Sequence, residues 1–201
     1  SKGGSAAARL WRMKIALCYN EVLPALRYGG VERVVMGLAR AFKTLGHDVF
    51  LLGQKGSELP DFEHGFYPDG WRAGDHAGLV PADVDIIHTH QADKVKASKP
   101  FLTTVHGNAS PGEKFLPNTN FVSRSHAKNH DAKYYVLQAI EANKYPFIEQ
   151  KDDYVVFMAK AKWRVKNLHT AIEFANDNKV LLKVIGGTGR NSKYVEYLGL
   201  L

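Results

Sequence analysis

Four groups of side chains in this sequence have types and spacings that could do chemistry. The first is the pair Gly29-Gly30. Glycine lets a backbone come close to a ligand, and a helix start behind it favours anions. The pair is neither a GxGxxG nor a P-loop, so a simple turn of the chain is an equal reading. The second group is His106-Gly107 together with His88-Thr-His90. A histidine that ends a strand beside a glycine is placed to hydrogen-bond a ligand, although an isolated histidine is more often structural. His88, His90 and His106 are ligand types for a metal, but no Glu or Cys is committed to join them, so no metal is expected. The third is His126 and His130, four residues apart without the Glu of a His-Glu-x-x-His motif; they read as a surface helix. The fourth is Lys160, Lys162, Arg164 and Lys166, in a stretch from Met158 to Asn167 that contains no acid. Several cations beside a helix start suit a diphosphate, while a solvated basic loop is the plainer account.

The elements that must position these groups follow from the apolar pattern. Met13–Tyr19 is a short β-compatible run and reads as a buried strand. Val31, Val34, Val35, Leu38, Ala39, Phe42 and Leu45 fall at helical spacing and predict a helix over 31–45, stopped by Gly46. Asp48–Leu52 is a second strand. Strand, glycine loop, helix and strand make a βαβ unit, so the sheet is expected to be parallel. Residues 53–81, rich in Gly, Pro and Asp, read as loop with short pieces of structure. Further strands are expected at Asp85–Thr89, Phe101–Val105, Asn120–Ser123 and Lys133–Leu137. Residues 141–152 read as a linker. The pattern then restarts with a strand at Tyr154–Met158, a basic loop, a helix that Asn167 can cap, and a strand at Val180–Ile185 followed by Gly186-Gly187 and Gly189. The fold class is α/β: one Rossmann-like parallel-sheet domain and the start of a second unit.

Composition narrows the function classes. The 201 residues are 45% hydrophobic and carry a net charge of +7, with a pI near 9.4. Such a chain can bury a core and is not a disordered tail. Its apolar runs, such as Tyr154–Ala159, are too short to span a membrane. One cysteine, Cys18, excludes an internal disulfide and a multi-Cys zinc site and fits a cytoplasmic protein. The basic surplus suits nucleic acid, an anionic membrane surface or a phosphorylated ligand. No nucleic-acid motif accompanies it. Ser1–Arg12, small, polar and basic, reads as a disordered leader or an appended tag.

Taken in order, these stretches resemble a GT-B glycosyltransferase of glycosyltransferase family 4. The resemblance rests on Met13-Lys-Ile-Ala-Leu, Gly29-Gly-Val-Glu-Arg-Val-Val, Leu38-Ala-Arg-Ala-Phe and Leu45-Gly-His-Asp-Val49. Asp85-Ile-Ile-His-Thr-His90, Thr104-Val-His-Gly107, Phe121-Val-Ser123, Tyr145-Pro-Phe147 and Tyr154-Val-Val-Phe continue it. It covers most of residues 13–185, and order and spacing carry it more than any one motif.

The resemblance implies sugar transfer from a nucleotide-sugar to an acceptor, with retention at the anomeric carbon and without a metal or other cofactor. Gly29 and Gly30 match the loop near the donor phosphates and acceptor. His106 matches the histidine near the transferred sugar. Lys160 and Lys166 match the Arg and Lys that hold the diphosphate. Residues 13–150 would form the acceptor-side domain, the GT-B N-terminal half, and 151–201 the truncated start of the nucleotide-sugar domain. The partners implied are a nucleotide-sugar and a sugar or lipid-linked acceptor. No nucleic acid is expected, and peripheral contact at the inner face of a membrane is compatible with the charge. The sequence departs from the family at Ala159-Lys160 for Gly-Arg, at Asn167 for a helix-start Gly, and at Gln138-Ala-Ile-Glu-Ala142 for Asn-Gly-Ile-Asp-Pro. Nothing matches the family's Glu-x7-Glu segment, which lies beyond residue 201. A non-catalytic binding module or partner subunit is therefore the alternative reading.

Overall fold

A computed structural model describes residues 11–71, 76, 78–91, 99–108 and 112–200. The chain forms two compact units, Ser1–Ala142 and Asn143–Leu201. Most of the expected leader, residues 1–10, lies outside the described residues. Arg12 at its end makes a two-pronged ion pair with Asp48, at 2.9 and 2.7 Å.

The first unit is built on a six-stranded sheet in the order β3-β2-β1-β4-β5-β6, every pair parallel. The strands are β1 (Lys14–Cys18), β2 (Asp48–Gly53), β3 (Glu63–Phe66), β4 (Ile86–Thr89), β5 (Phe101–Val105) and β6 (Thr119–Phe121). Helix α1 (Gly30–Thr44) crosses from β1 to β2, as the βαβ pattern requires. Alternation along β1 sends Ile15 and Leu17 to one face and Ala16 and Cys18 to the other. The first face packs with Val35, Met36 and Ala39 of α1, and with Val49 and Leu51 of β2. The second packs with Phe50, Leu52, Tyr67, Val84 and Ile87. Both faces of β1 are buried, which is why its sequence is a continuous apolar run. α1 ends one residue earlier than the pattern suggests: Leu45 caps it, and Gly46 takes a φ of +90. The His47 amide then donates to the Phe42 carbonyl at 3.0 Å.

Two expectations need correction in this unit. Lys133–Leu137 is not a strand. Only Tyr135 bridges to Phe121, because β6 is three residues long and ends there. Among the short pieces of structure expected in residues 53–81 is a four-residue parallel edge strand, β3, which pairs with Phe50–Gly53. The helix through His126 is α2 (Arg124–Lys128), capped by Ser123, whose hydroxyl accepts from the His126 amide at 3.1 Å. Its histidine is not a surface residue: His126 is 6% exposed and meets Phe121 edge-on, and His130 stacks on the same ring.

The second unit has a parallel three-stranded sheet, β7 (Tyr154–Met158), β8 (Leu181–Ile185) and β9 (Val195–Tyr197), in that order. Helix α3 (Leu168–Asn178) lays Leu168, Ala171, Ile172 and Ala175 against Val155, Phe157, Leu182, Val184 and Val195. The glycines after β8 thus lead into a further strand.

Candidate functional site

β1 and β4 are adjacent although two strands separate them in sequence, so the strand order reverses direction at this point. In open parallel sheets a crevice forms there, outside the carboxyl ends of the strands. Here it is a cleft of about 450 Å³. Tyr19 and Glu21 enter it from the end of β1, His90 and Gln91 from β4, and His106 and Gly107 from β5. Val31, in the first turn of α1, closes another side.

The two glycines of the first motif do different things. Gly29 is buried, and a Cβ there would lie 2.6 Å from the Ala25 Cβ. Its φ of 166 is extended, so a left-handed turn is not the reason for glycine. Gly30 is exposed, and a Cβ on it would meet nothing within 4 Å. The same holds for Gly107. The protein's own packing demands glycine at 29 only. At 30 and 107 the missing side chains leave open the space beside the helix start and beside His106. Arg33 fastens the loop, donating to the Gly29 carbonyl at 2.6 Å and the Arg27 carbonyl at 2.7 Å.

The three strand-end histidines are brought together. His90 Nδ1 lies 2.9 Å from His106 Nε2, and their rings stack with centroids 5.1 Å apart. His88 stacks on His90 at 4.3 Å and shares a 2.8 Å hydrogen bond with the Thr104 hydroxyl. Asn120 donates to the same hydroxyl at 3.2 Å. Burial, reinforced by His126, holds the His106 imidazole down to about 4. Burial and the nearby His106 do the same for His88, again to about 4, and burial with its two histidine neighbours holds His90 well below its ordinary value. All three rings are neutral at pH 7, so they hydrogen-bond rather than carry charge. Tyr19 is pushed up to about 12 by burial and by Glu32 and Glu21, so its hydroxyl keeps its proton in the cleft. Among the described residues, no group of three His, Cys, Asp or Glu side chains is arranged to hold a metal ion.

Sequence reasoning missed a second contact to His106. Gln138, from the segment after β6, hydrogen-bonds its Nδ1. The segment is in turn pinned to α1 by Arg40, whose Nε donates to Glu141 at 2.8 Å beside a second contact between the same groups. A triplet spelled like a metal-binding Asp-x-Asp motif, Asp83-Val84-Asp85, lies at the opposite end of the sheet. Lys14 occupies both carboxylates there: its Nζ is 2.9 Å from Asp83, and its amide donates to Asp85 at 2.7 Å.

Lys160 and Lys166 are in the second unit, on the exposed loop after β7. The loop is stapled to the turn after β8. The Ala159 amide donates to the Ile185 carbonyl at 3.1 Å, and the Ala161 amide to the Gly186 carbonyl at 3.0 Å. Lys160 lies over the Trp163 ring at 4.5 Å, and Lys166 closes a 3₁₀ turn over Arg164–Lys166. Asn167 precedes α3 but does not cap it with its side chain. Its φ of 61 and ψ of 39 are left-handed, so its carboxamide oxygen accepts from the Thr170 hydroxyl at 3.0 Å instead of from a first-turn amide. Asparagine is among the non-glycine residues most tolerant of that conformation. The exchange of a helix-start Gly for Asn therefore preserves the backbone.

A family model described as Glycosyltransferase Family 4 matches residues 28–146, more than half of the chain. No curated protein matches it by sequence. Among solved structures, it is similar to AviGT4, a glycosyltransferase involved in avilamycin A biosynthesis, at a TM-score of 0.70 and 21% identity. The match covers 93% of this chain and 63% of AviGT4, so the chain spans less than two thirds of that protein's length. The likeness shows a shared fold, that of a GT-B glycosyltransferase. A match to UDP-N-acetylglucosamine 4-epimerase from Bacillus cereus covers 90% of this chain and 59% of that one, at 14% identity and a TM-score of 0.26, too low for a common fold.

Proposed function

The chain belongs to glycosyltransferase family 4, and on that premise we propose that it takes part in moving a sugar from a nucleotide-sugar to an acceptor, with retention at the anomeric carbon and no metal. The observation that carries the reading is the cleft where the strand order reverses, with His106 at its wall and open space beside Gly30 and Gly107. Open backbone at a helix start suits an anionic or hydroxyl-rich group. A neutral imidazole suits a sugar hydroxyl. In this reading the bond from the anomeric carbon to the diphosphate breaks with both electrons leaving on the diphosphate. The acceptor oxygen bonds to the carbon and gives its proton to the departing phosphate oxygen. Lys160 and Lys166 neutralise the charge that grows on that leaving group. Gly29 shapes the loop, and Gly30 lets the ligand approach it.

One observation favours a binding module instead. Lys160 follows Ala159 where the family has Gly-Arg, and a lysine offers a point charge in place of a two-pronged grip. Calorimetry of the chain with UDP, GDP and ADP, followed by turnover assays with the matching sugar nucleotides, separates the readings. Saturable binding with turnover supports transfer, and saturable binding alone supports the module. No nucleotide affinity, with steeply salt-dependent binding to generic DNA, overturns both. No described helix is long and apolar enough to cross a membrane. We place the protein in the cytoplasm, with a lipid-linked acceptor compatible with its +7 charge.

A further inference from the structure

Both ring nitrogens of His106 are engaged by the protein itself. Nε2 meets His90 Nδ1 at 2.9 Å, and Nδ1 meets the side-chain amide nitrogen of Gln138. A neutral imidazole carries one proton, so each of these bonds dictates the other. An amide nitrogen can only donate, which makes His106 Nδ1 an acceptor. The His106 proton then sits on Nε2 and is donated to His90 Nδ1. His90 in turn carries its proton on Nε2, a buried atom with no hydrogen-bond partner among the described residues. The same chain of reasoning reverses at every link if the Gln138 carboxamide is turned over. Gln138 is exposed, and the Arg40–Glu141 pair three residues on ties its segment to the helix that begins at Gly30.

We propose that Gln138 is a positioning residue for His106, fixing it as the Nε2–H tautomer, and that Arg40 and Glu141 hold Gln138 to this task. The proposal rests on reading His106 as the histidine that faces the transferred sugar. Its consequence is that His106 presents a hydrogen-bond donor at Nε2, which a sugar oxygen takes over from His90. The ring is thus a neutral donor and not a base.

The test is long-range proton–nitrogen NMR of the imidazole rings in the ¹⁵N-labelled chain at neutral pH, which identifies the protonated nitrogen of each ring directly. In the wild type, His106 is expected to show a protonated Nε2 and a bare Nδ1. Gln138→Leu should give averaged tautomers. Gln138→Glu, whose carboxylate can only accept, should move the proton to Nδ1. Arg40→Ala should shift the ring part of the way toward the Gln138→Leu result. Dispersed amide spectra confirm that each variant is folded. A wild-type Nδ1–H tautomer, or a His106 signal indifferent to both Gln138 variants, overturns the proposal. None of these readouts needs activity. Loss of all nucleotide affinity would overturn the sugar-transfer reading and leave the tautomer assignment intact.

Discussion

Gly29 faces Ala25 so closely that a Cβ on it would stand 2.6 Å from the Ala25 Cβ. The Glu32 carboxylate, also within 3 Å of that position, ends a flexible side chain and can swing away. The Ala25 Cβ is fixed to the backbone and cannot. Gly29→Ala is therefore expected to lower the stability of the first unit by about 1–3 kcal/mol, as overpacking does. Gly30→Ala has open space and sits in a helix's first turn, so stability should stay within about 0.5 kcal/mol. If ligand approaches the backbone at this helix start, the added methyl group should weaken its binding. Urea unfolding of the two variants, paired with nucleotide calorimetry, checks the contrast. Equal destabilisation by both would contradict it.

A tighter contact governs the second unit. Gly186 has a φ of +109, and a Cβ on it would fall 2.1 Å from the Ala159 carbonyl oxygen. Gly187 is similarly pressed against the Ala161 side chain. These approaches hold the basic loop against the turn after β8. Gly186→Ala adds backbone strain to a clash with main chain and should cost roughly 3 kcal/mol or more. Hydrogen exchange at the β7 and β8 amides reads this out. Exchange there should accelerate while β1 and β2 remain protected.

The elements that carried a strong apolar period were legible in the sequence. β1, α1, β5, β7 and α3 all lie within a residue or two of where the pattern puts them, because each carries a β-compatible run or a helical apolar stripe in its sequence. β3 was hidden because Glu-His-Gly-Phe at a sheet edge has no apolar alternation. β9 is three residues long. Tyr134, Val136 and Leu137 have strand-like chemistry but are exposed, and only one bridge joins their segment to β6: the Phe121 amide donates to the Tyr134 carbonyl and the Val136 amide to the Phe121 carbonyl. The site was legible in part. Histidines at the ends of β4 and β5 can be read from the strand pattern. Their contact depends on the pairing of Thr89 with Thr103, which no local signal specifies. Gln138 reaches His106 across 32 residues, and Arg40 reaches Glu141 across 101, so only the folded chain reveals either.

Lys166 follows Val165 in a one-turn 3₁₀ segment, and the left-handed Asn167 sends the chain directly into α3. If this corner binds a nucleoside diphosphate, Lys166→Ala should weaken binding roughly tenfold, about 1.4 kcal/mol. It should also flatten the dependence on salt. Asn167→Gly keeps the left-handed conformation and should leave affinity near that of the wild type. Asn167→Val, which disfavours it, should lower affinity by misplacing Lys166. Calorimetry at two salt concentrations reads all three variants. An unchanged affinity in Lys166→Ala would remove that residue from the site.

The neutral histidines also make stability depend on pH in a defined window. An unfolded histidine titrates near 6.5, whereas His88 and His106 in the folded chain are held to about 4 and His90 is held well below its ordinary value. Between these values the unfolded chain binds more protons, so stability rises with pH. It is complete above about 6.5 and is lost as pH falls toward 4, where the contributions of His88 and His106 level off. At pH 5 the loss from the well-buried His88 alone is on the order of 2 kcal/mol. The Asp48 and Asp83 carboxyls are held below their usual range by Arg12 and Lys14, so they stay ionised throughout this window and do not add to it. Urea unfolding of the first unit at pH 7.5 and pH 5 should show the difference. His88→Gln, which removes one titrating ring, should make the dependence shallower. A wild-type chain equally stable at both values would mean that these rings already carry protons in the folded state.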